Sequence, residues 1–480
     1  MEKIELKPAA VFEMFARINK VPRPSKREEK MIAFLKDFGE SLGLETKVDE
    51  TGNVLIRKPA SAGMEQKPTV ILQSHMDMVC EKNNDVEFNF DTDGIQTYID
   101  GEWMKAKGTT LGADDGIGCA MEMAILADNS LKHGPLECVF TRDEETGLTG
   151  AEGMQPGFMT GQMLINLDSE DEGEIFVSCA GGCRTAVTFR FTPEAAPAGA
   201  FFLRLTIKGL TGGHSGDDID KERINAVQTM ARFLDAEYAC GLQLIHLEGG
   251  GKPNAIAREC EAVVAVPDPE ATAGRFAAFG GEVRAEHFQS DPDARFTCET
   301  APAEMPPMAD ADALRLIRAL FACPHGVEAM SQDIPGLVET STNLASIRME
   351  EGVAHIVTSQ RSATASARRM MGAKVAAHCL LAGAEVEHAS EYPGWKPNLH
   401  SRILEVSVAS YRALFRTEPE VKAIHAGLEC GLFGEKFGDL DMISFGPTLR
   451  GVHTPGERLD LASLEKFTRH LADVVIRFQQ

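Results

Sequence analysis

The chain has 480 residues, of which 43% are hydrophobic and 25% charged. This is globular composition at a length beyond the ~250–300 residues where single cores stop growing, so disordered, collagen-like and rod-like classes are excluded and at least two domains are expected. Lys and Arg number 48 against 72 acidic residues, a formal net charge of −24, which argues against nucleic acid and anionic membrane surfaces as partners. The opening MEKIELKPAA has no apolar stretch of a signal peptide, no run of ~18 apolar residues occurs, and the 11 cysteines are scattered singly. A cytoplasmic chain with reduced thiols and no membrane association is expected.

In chain order, AAVFEMFARI carries apolar residues at helical spacing, and Ser25 reads as the N-cap of a second helix, KREEKMIAFLKDFGESLG, that stops at Gly43. A strand, a Thr51-Gly52-Asn53 turn and NVLIRK follow, then TVILQSH, a β-rich run ending at His75. Residues 116–128 have a helical pattern, LECVFT (136–141) is a strand leading into an acidic loop, and MLINLD (163–168) is an apolar run ending in acid. Strands alternating with helices predict an α/β layered domain.

After Cys179 the pattern changes. TAVTFRF and FFLRLTIKG alternate with period two, as in a half-solvated sheet, and helices are expected at 222–238, 310–322 and 365–382. Beyond Pro393-Gly394 and Pro397 come a helix (401–415), the strand MISFG (442–446) and an amphipathic helix (461–478). The expected architecture is an α/β domain with a central mixed sheet flanked by helices, formed by 1–185 and 394–480 and interrupted by an inserted α+β domain at 186–393.

Five acid-or-histidine clusters follow an apolar strand or open a helix, and in open α/β sheets such positions converge at the carboxyl ends of strands. His75-Met76-Asp77 suits a metal because the carboxylate can orient the imidazole; the ordinary reading is a surface pair. In Gly112-Ala113-Asp114-Asp115-Gly116, one Asp reads as a helix cap and the other as a free carboxylate able to bridge two ions. Asp143-Glu144-Glu145 offers a ligand beside a base, or simply a solvated acidic turn. Asp168 ends its strand, and His453 sits in a Gly/Pro loop after another. Each signal is weak alone. Together, two His and at least three carboxylates suit a two-zinc hydrolytic site, and this nitrogen-and-oxygen donor set also admits Mn or Co.

HMDMV (75–79), GTTLGADDGIG (108–118), DEETG (143–147) and NLDSEDEGEIF (166–176) resemble the zinc dipeptidases of the aminoacylase/carboxypeptidase-G-like superfamily. GGHSG (212–216), PNAIARE (253–259), YPGW (392–395) and HAGLECGLF (425–433) narrow the resemblance to the aminoacyl-histidine dipeptidases, from about residue 7 onward. The resemblance implies a catalytic zinc-peptidase domain, an inserted lid that also serves dimerisation, and hydrolysis of dipeptides, including Xaa-His and β-alanyl-histidine. It implies two zinc ions per subunit, with His75 on one, His453 on the other, Asp114 bridging, and Glu145 and Asp168 completing the sites. Glu144 is implied as general base, Asp77 as the residue orienting His75, and His214 as a lid residue supporting the oxyanion in its own or the partner's active site. Asn254 and Arg361 match lid positions that bind the substrate's backbone or carboxylate; turn chemistry and a surface ion pair are the ordinary alternatives. Two departures from close relatives are Asp115, where many have Asn, and the charged stretch Lys221-Glu222-Arg223. An N-acyl-amino-acid amidase and a non-catalytic metal-binding dimer are the competing readings.

Overall fold

The computed structural model describes residues 8–302, 305–332, 334–398, 400–425, 427–438 and 440–478. These fall into two compact units. One comprises the described residues up to Cys179, then Trp395–Ala423 and those from Leu428 onward; the other comprises Ala180–Gly394 and Ile424–Gly427. The segment Ile424–Gly427, placed by the sequence reading within 394–480, groups with the second unit because His425 is tied there: its Nε2 lies 2.7 Å from Ser341 Oγ and its carbonyl accepts from Arg361 Nη1.

The first unit is built on an eight-stranded mixed sheet, in the order Glu45–Val48, Val54–Lys58, Leu136–Thr141, Val70–His75, Met163–Asn166, Asp441–Ser444, Glu174–Cys179, Glu420–Ile424. Leu136–Thr141, Val70–His75, Met163–Asn166 and Asp441–Ser444 run parallel to one another, whereas Val54–Lys58 and Glu174–Cys179 flank them antiparallel. Val70–His75 and Leu136–Thr141 are buried along their whole length, the polar Gln73, Ser74 and Glu137 included, so neither alternates apolar with solvated residues. The helix Ala113–Ala127 is buried on nearly every face, packing on Val70–His75 and on the helix Pro8–Ile18. Helices Arg402–Phe415 and Leu461–Arg477 pack together, each started by a side-chain cap: Ser401 Oγ accepts from Leu404 N and Asp460 Oδ1 from Ser463 N. A small four-stranded sheet includes Leu449–Arg450 and Arg458–Asp460, so His453 sits in the connection between two paired strands.

The second unit carries a nine-stranded antiparallel sheet. Its strand Phe201–Lys208 turns Leu203, Leu205 and Ile207 into the core and alternates them with less buried residues, as its period-two pattern predicts. The helices Ala226–Tyr238, Pro269–Glu286, Asp310–Phe321 and Ala365–Leu381 contribute to one apolar core with this sheet.

Two local expectations fail for physical reasons. Ser25 caps no helix: the second helix is Glu29–Ser41, its N-cap residue is Glu28, and Ser25 Oγ donates to Asp77 instead. The helix Pro269–Glu286 lies where the sequence predicts no helix. Its apolar stripe is diluted by Ala and Gly, but Asp268 before Pro269 is a start signal, and Asp268 Oδ1 does accept from Ala271 N at 3.0 Å.

Candidate metal centre

The parallel strands Leu136–Thr141, Val70–His75 and Met163–Asn166 are adjacent and in register, so their carboxyl ends share one edge of the sheet. His75 is the last residue of one; Glu144, Glu145 and Asp168 lie just past the ends of the others. Asp114 arrives from the start of the buried helix. Asp114 and Asp115 have non-helical φ/ψ, so the helix proper begins at Gly116, and the peptide between the two Asp is cis. His453, at φ 60°, turns in from its loop.

The side chains meet in a definite pattern. His75 Nε2 lies 3.0 Å from Asp114 Oδ1 and 3.6 Å from Asp168 Oδ1. His453 Nε2 lies 3.1 Å from Asp114 Oδ2 and 2.9 Å from Glu145 Oε2. Asp114 therefore gives one oxygen to each imidazole, and the cluster divides into two halves that share it. His75, Asp168 and Glu145 are largely buried, whereas the His453 side chain is 50% exposed. On the far side of His75, Asp77 Oδ1 lies 3.3 Å from Nδ1. Asp77 also accepts from the backbone N–H of Glu144 and Glu145 and from Ser25 Oγ, so it holds the imidazole and the Glu-Glu turn together.

The two Asp of the helix start divide the cap and the free carboxylate between them. Asp115 is buried, accepts from Gly118 N at 3.1 Å as a helix cap does, and accepts from His75 N at 3.3 Å. Asp114 is the free one. The acidic turn at 143–145 is not simply solvated: Asp143 is buried and accepts from Thr146 and Thr149 hydroxyls, Glu144 is half-buried, and the Glu145 side chain is largely buried.

The electrostatics follow from crowding acids in a buried place. Burial holds the Glu144 carboxyl well above its usual range, with the Asp168 and Glu145 charges adding to it and His75 opposing. Burial also lifts Asp168, to about 6. For Asp114, burial acts upward but hydrogen bonds from His453 and His75 outweigh it and hold the carboxyl low. Hydrogen bonds to Asp114 and Glu145 raise His453 to about 11. Carboxylates packed this way need positive charge close by. Glu145 Oε1 is buried with no hydrogen-bond partner among the described residues. Donor atoms of His75, Asp114 and Glu145 all lie within 4.8 Å of one another. An orphaned oxygen in a His/carboxylate cluster of this donor type fits divalent metal.

Sequence reasoning passed over three residues here. Glu457 accepts backbone N–H groups from the loop that ends at Asp114. Glu429 is fully buried and accepts from Gln73 Nε2 and Thr141 Oγ1; burial pushes it up to about 8. Arg23 is buried and donates to Gly112 O. The only signal for the first was its place four residues after His453, and for the second its place inside HAGLECG.

The second unit brings His214 and Arg361 together. His214 Nδ1 lies 3.0 Å from Asp217 Oδ2, and Nε2 lies 3.3 Å from Arg361 Nη2. Arg361 is only 8% exposed, which removes the surface-ion-pair reading. Its Nη1 faces Tyr392 OH and His425 O, and its Nε has no partner among the described residues. Asn254 is exposed on a turn, and its carbonyl accepts from Ser215 N beside His214. The charged stretch is structural in part: Arg223 pairs with Asp218 at 3.0 Å and donates to Gly212 O, bracing the loop that presents His214.

Comparison with known proteins follows the same outline. The family model "Peptidase family M20/M25/M40" matches residues 71–477. The "Cytosol non-specific dipeptidase" of Escherichia coli is 38% identical, covering 99% of this chain and 98% of that protein. The crystal structure of aminoacylhistidine dipeptidase from Vibrio alginolyticus superposes with a TM-score of 0.89 at 41% identity, covering 99% of this chain and 98% of that one. The aminopeptidase PepT of Bacillus cereus, at 17% identity and a TM-score of 0.62, shares the fold. No helix among the described residues is long and apolar enough to cross a membrane. By the extent of these matches, this chain belongs to peptidase family M20/M25/M40 and is a hydrolase of the metallopeptidase type.

Proposed function

We propose that the chain is a dipeptidase that uses two divalent metal ions, zinc in the first instance with Mn or Co as substitutes. The observation that carries this reading is the Asp114 carboxylate, with one oxygen toward His75 and the other toward His453. His75 and Asp168 would hold one ion, His453 and Glu145 the other, and Asp114 would bridge them. When bound, such ions lower the pKa of a water toward ~7 and polarise a carbonyl oxygen.

The chain's own groups do the rest. Glu144, whose burial raises its pKa, takes a proton from the attacking water and returns it to the leaving amine. Asp77 fixes the His75 ring and the turn that bears Glu144. Arg361, a buried guanidinium whose Nε has no partner among the described residues, would receive the substrate's terminal carboxylate. His214 would donate to the oxyanion of the tetrahedral intermediate, and Asn254 would contact the substrate's backbone. Substrates are dipeptides with free termini, Xaa-His and β-alanyl-histidine among them. The relatives' names support this choice, one being a non-specific dipeptidase of the cytosol and the other an aminoacylhistidine dipeptidase. A cytoplasmic homodimer formed through the 186–393 insert, acting as a lid, completes the proposal.

The test is a panel of dipeptides, N-acylated amino acids and longer peptides, assayed before chelation, after it, and after Zn, Mn or Co is restored. Cleavage of free dipeptides that vanishes with chelation and returns with metal is expected. Preference for N-acylated substrates would favour an amidase, and binding of metal without any hydrolysis would favour a non-catalytic protein. Activity that survives complete metal removal would overturn the reading.

A further inference from the structure

Glu457 is 2% exposed, and its carboxylate accepts four consecutive backbone N–H groups. Oε2 takes Leu111 N at 2.7 Å and Gly112 N at 3.0 Å; Oε1 takes Ala113 N at 2.7 Å and Asp114 N at 3.3 Å. From the opposite polarity, Arg23, 1% exposed, donates Nη2 to Gly112 O at 2.6 Å and Nη1 to Met78 Sδ at 3.3 Å. The loop 111–114 is thus held at its amides by a carboxylate and at a carbonyl by a guanidinium. Gly112 permits this: its φ is +66°, and a Cβ there would press on Arg23 Nη2 and sit 2.8 Å from Met78 Sδ.

Glu457 also belongs to the turn that carries His453. Glu457 N donates to Thr454 O at 3.0 Å, and Thr454 Oγ1 donates to Gly451 O at 2.7 Å. One carboxylate therefore ties the turn bearing His453 to the loop bearing Asp114, across more than three hundred residues of chain. Neither Glu457 nor Arg23 reaches the cluster with its own side chain.

We infer that Glu457, with Arg23 opposite it, is a positioning residue that sets the placement of Asp114 relative to His453 and so governs metal affinity. This rests on the metal-centre reading above. Partners that orient metal ligands from behind commonly change affinity 10–100-fold when lost. Glu457→Gln keeps the volume but leaves one acceptor oxygen in place of two, and turns its NH₂ toward backbone donors.

The experiment is calorimetric titration of the full metal-free chain with zinc, and visible absorption of its cobalt-loaded form, for wild type and Glu457→Gln. The variant is expected to keep its far-ultraviolet circular dichroism, to bind zinc at least ~10-fold more weakly, and to shift the cobalt absorption bands. Unchanged affinity and unchanged bands would overturn the inference. Should Glu457→Gln fail to fold, Glu457→Asp, which keeps the charge beside Arg23 but is one methylene short, is read by the same two outcomes. Hydrogen exchange on the metal-free wild type needs no variant. The 111–114 amides should be protected like those of Val70–His75, and exchange at exposed-loop rates would overturn the clamp. A wild-type chain that takes up no metal would refute the metal centre itself, whereas normal uptake with an indifferent variant refutes only the clamp.

Discussion

Ser25 Oγ donates to Asp77 Oδ2 at 2.7 Å, and the opposite oxygen of Asp77 lies 3.3 Å from His75 Nδ1. The serine thus fixes the carboxylate that faces the imidazole. Asp77→Ala should weaken zinc binding or turnover by about 10–100-fold, since a metal-directed imidazole loses its orienting partner. Ser25→Ala should cost less, because two backbone N–H groups still hold Asp77. Calorimetric titration of both variants orders them; a Ser25→Ala defect larger than that of Asp77→Ala would contradict this chain of support.

Glu144 is the acid proposed to move the proton. Glu144→Gln removes the base while nearly preserving shape, so kcat should fall by about 10²–10⁴-fold with zinc stoichiometry unchanged. Near-wild-type turnover with intact metal uptake would exclude Glu144 as base.

Arg361 is buried, and its guanidinium meets Tyr392 OH, the His425 carbonyl and His214, with the Asp217 carboxylate beside His214. Arg361→Lys should raise KM for dipeptides by roughly 10–100-fold, the worth of a charge-assisted hydrogen bond, because a point ammonium does not reproduce the planar fork. The check is a substrate with an amidated C-terminus. Wild type should handle it poorly, and the variant should show little further loss. An equal additional loss would place the arginine elsewhere on the substrate.

Asn225 caps the helix Ala226–Tyr238. Its Oδ1 accepts from Val227 N and Gln228 N, both at 3.1 Å, and its Nδ2 donates to Leu344 O at 2.7 Å. Asn225→Ala removes the cap and leaves a buried carbonyl unpaired, so stability should drop by about 1–3 kcal/mol. Urea unfolding followed by circular dichroism measures it; Asn225→Asp, which caps but cannot donate, should fall between.

His470 is buried between Tyr411 and Phe445 with Nε2 near Ser407, and burial lowers its pKa from 6.5 to about 4. The folded state therefore keeps the ring neutral while the unfolded state protonates as pH falls through ~6.5. Its contribution is whole above that pH and declines down to about 4, a loss of about 2 kcal/mol by pH 5. His470→Gln should flatten this part of the profile between pH 7 and 5, read from urea midpoints on the metal-free chain. An unchanged slope would show that other groups carry the acid sensitivity.

Much of the site was legible along the chain because ligands at strand ends are announced by the strands themselves. Apolar runs ending in His75 or Asp168 identify residues whose positions the sheet must fix. The alternation of Phe201–Lys208 likewise declared a half-solvated sheet. What periodicity could not reach were partnerships made by single polar atoms over long separations. Ser25 has a cap's local context, yet its hydroxyl serves Asp77, 52 residues away. Local spacing alone does not separate Asp114 from Asp115; the backbone sends Asp115 to Gly118 N and His75 N and Asp114 between two imidazoles.

The sequence by itself determined the donor set, the strands that carry it and the resemblance that orders it, since these depend on residue type and local spacing. Only the tertiary structure decided that Asp115 serves as the helix cap, that Arg361 is buried, and that Glu457 holds the loop of Asp114. Those outcomes depend on which buried donors and acceptors find partners once the chain is packed. A polar group excluded from water is held in place by that requirement, and no pattern along the chain records it.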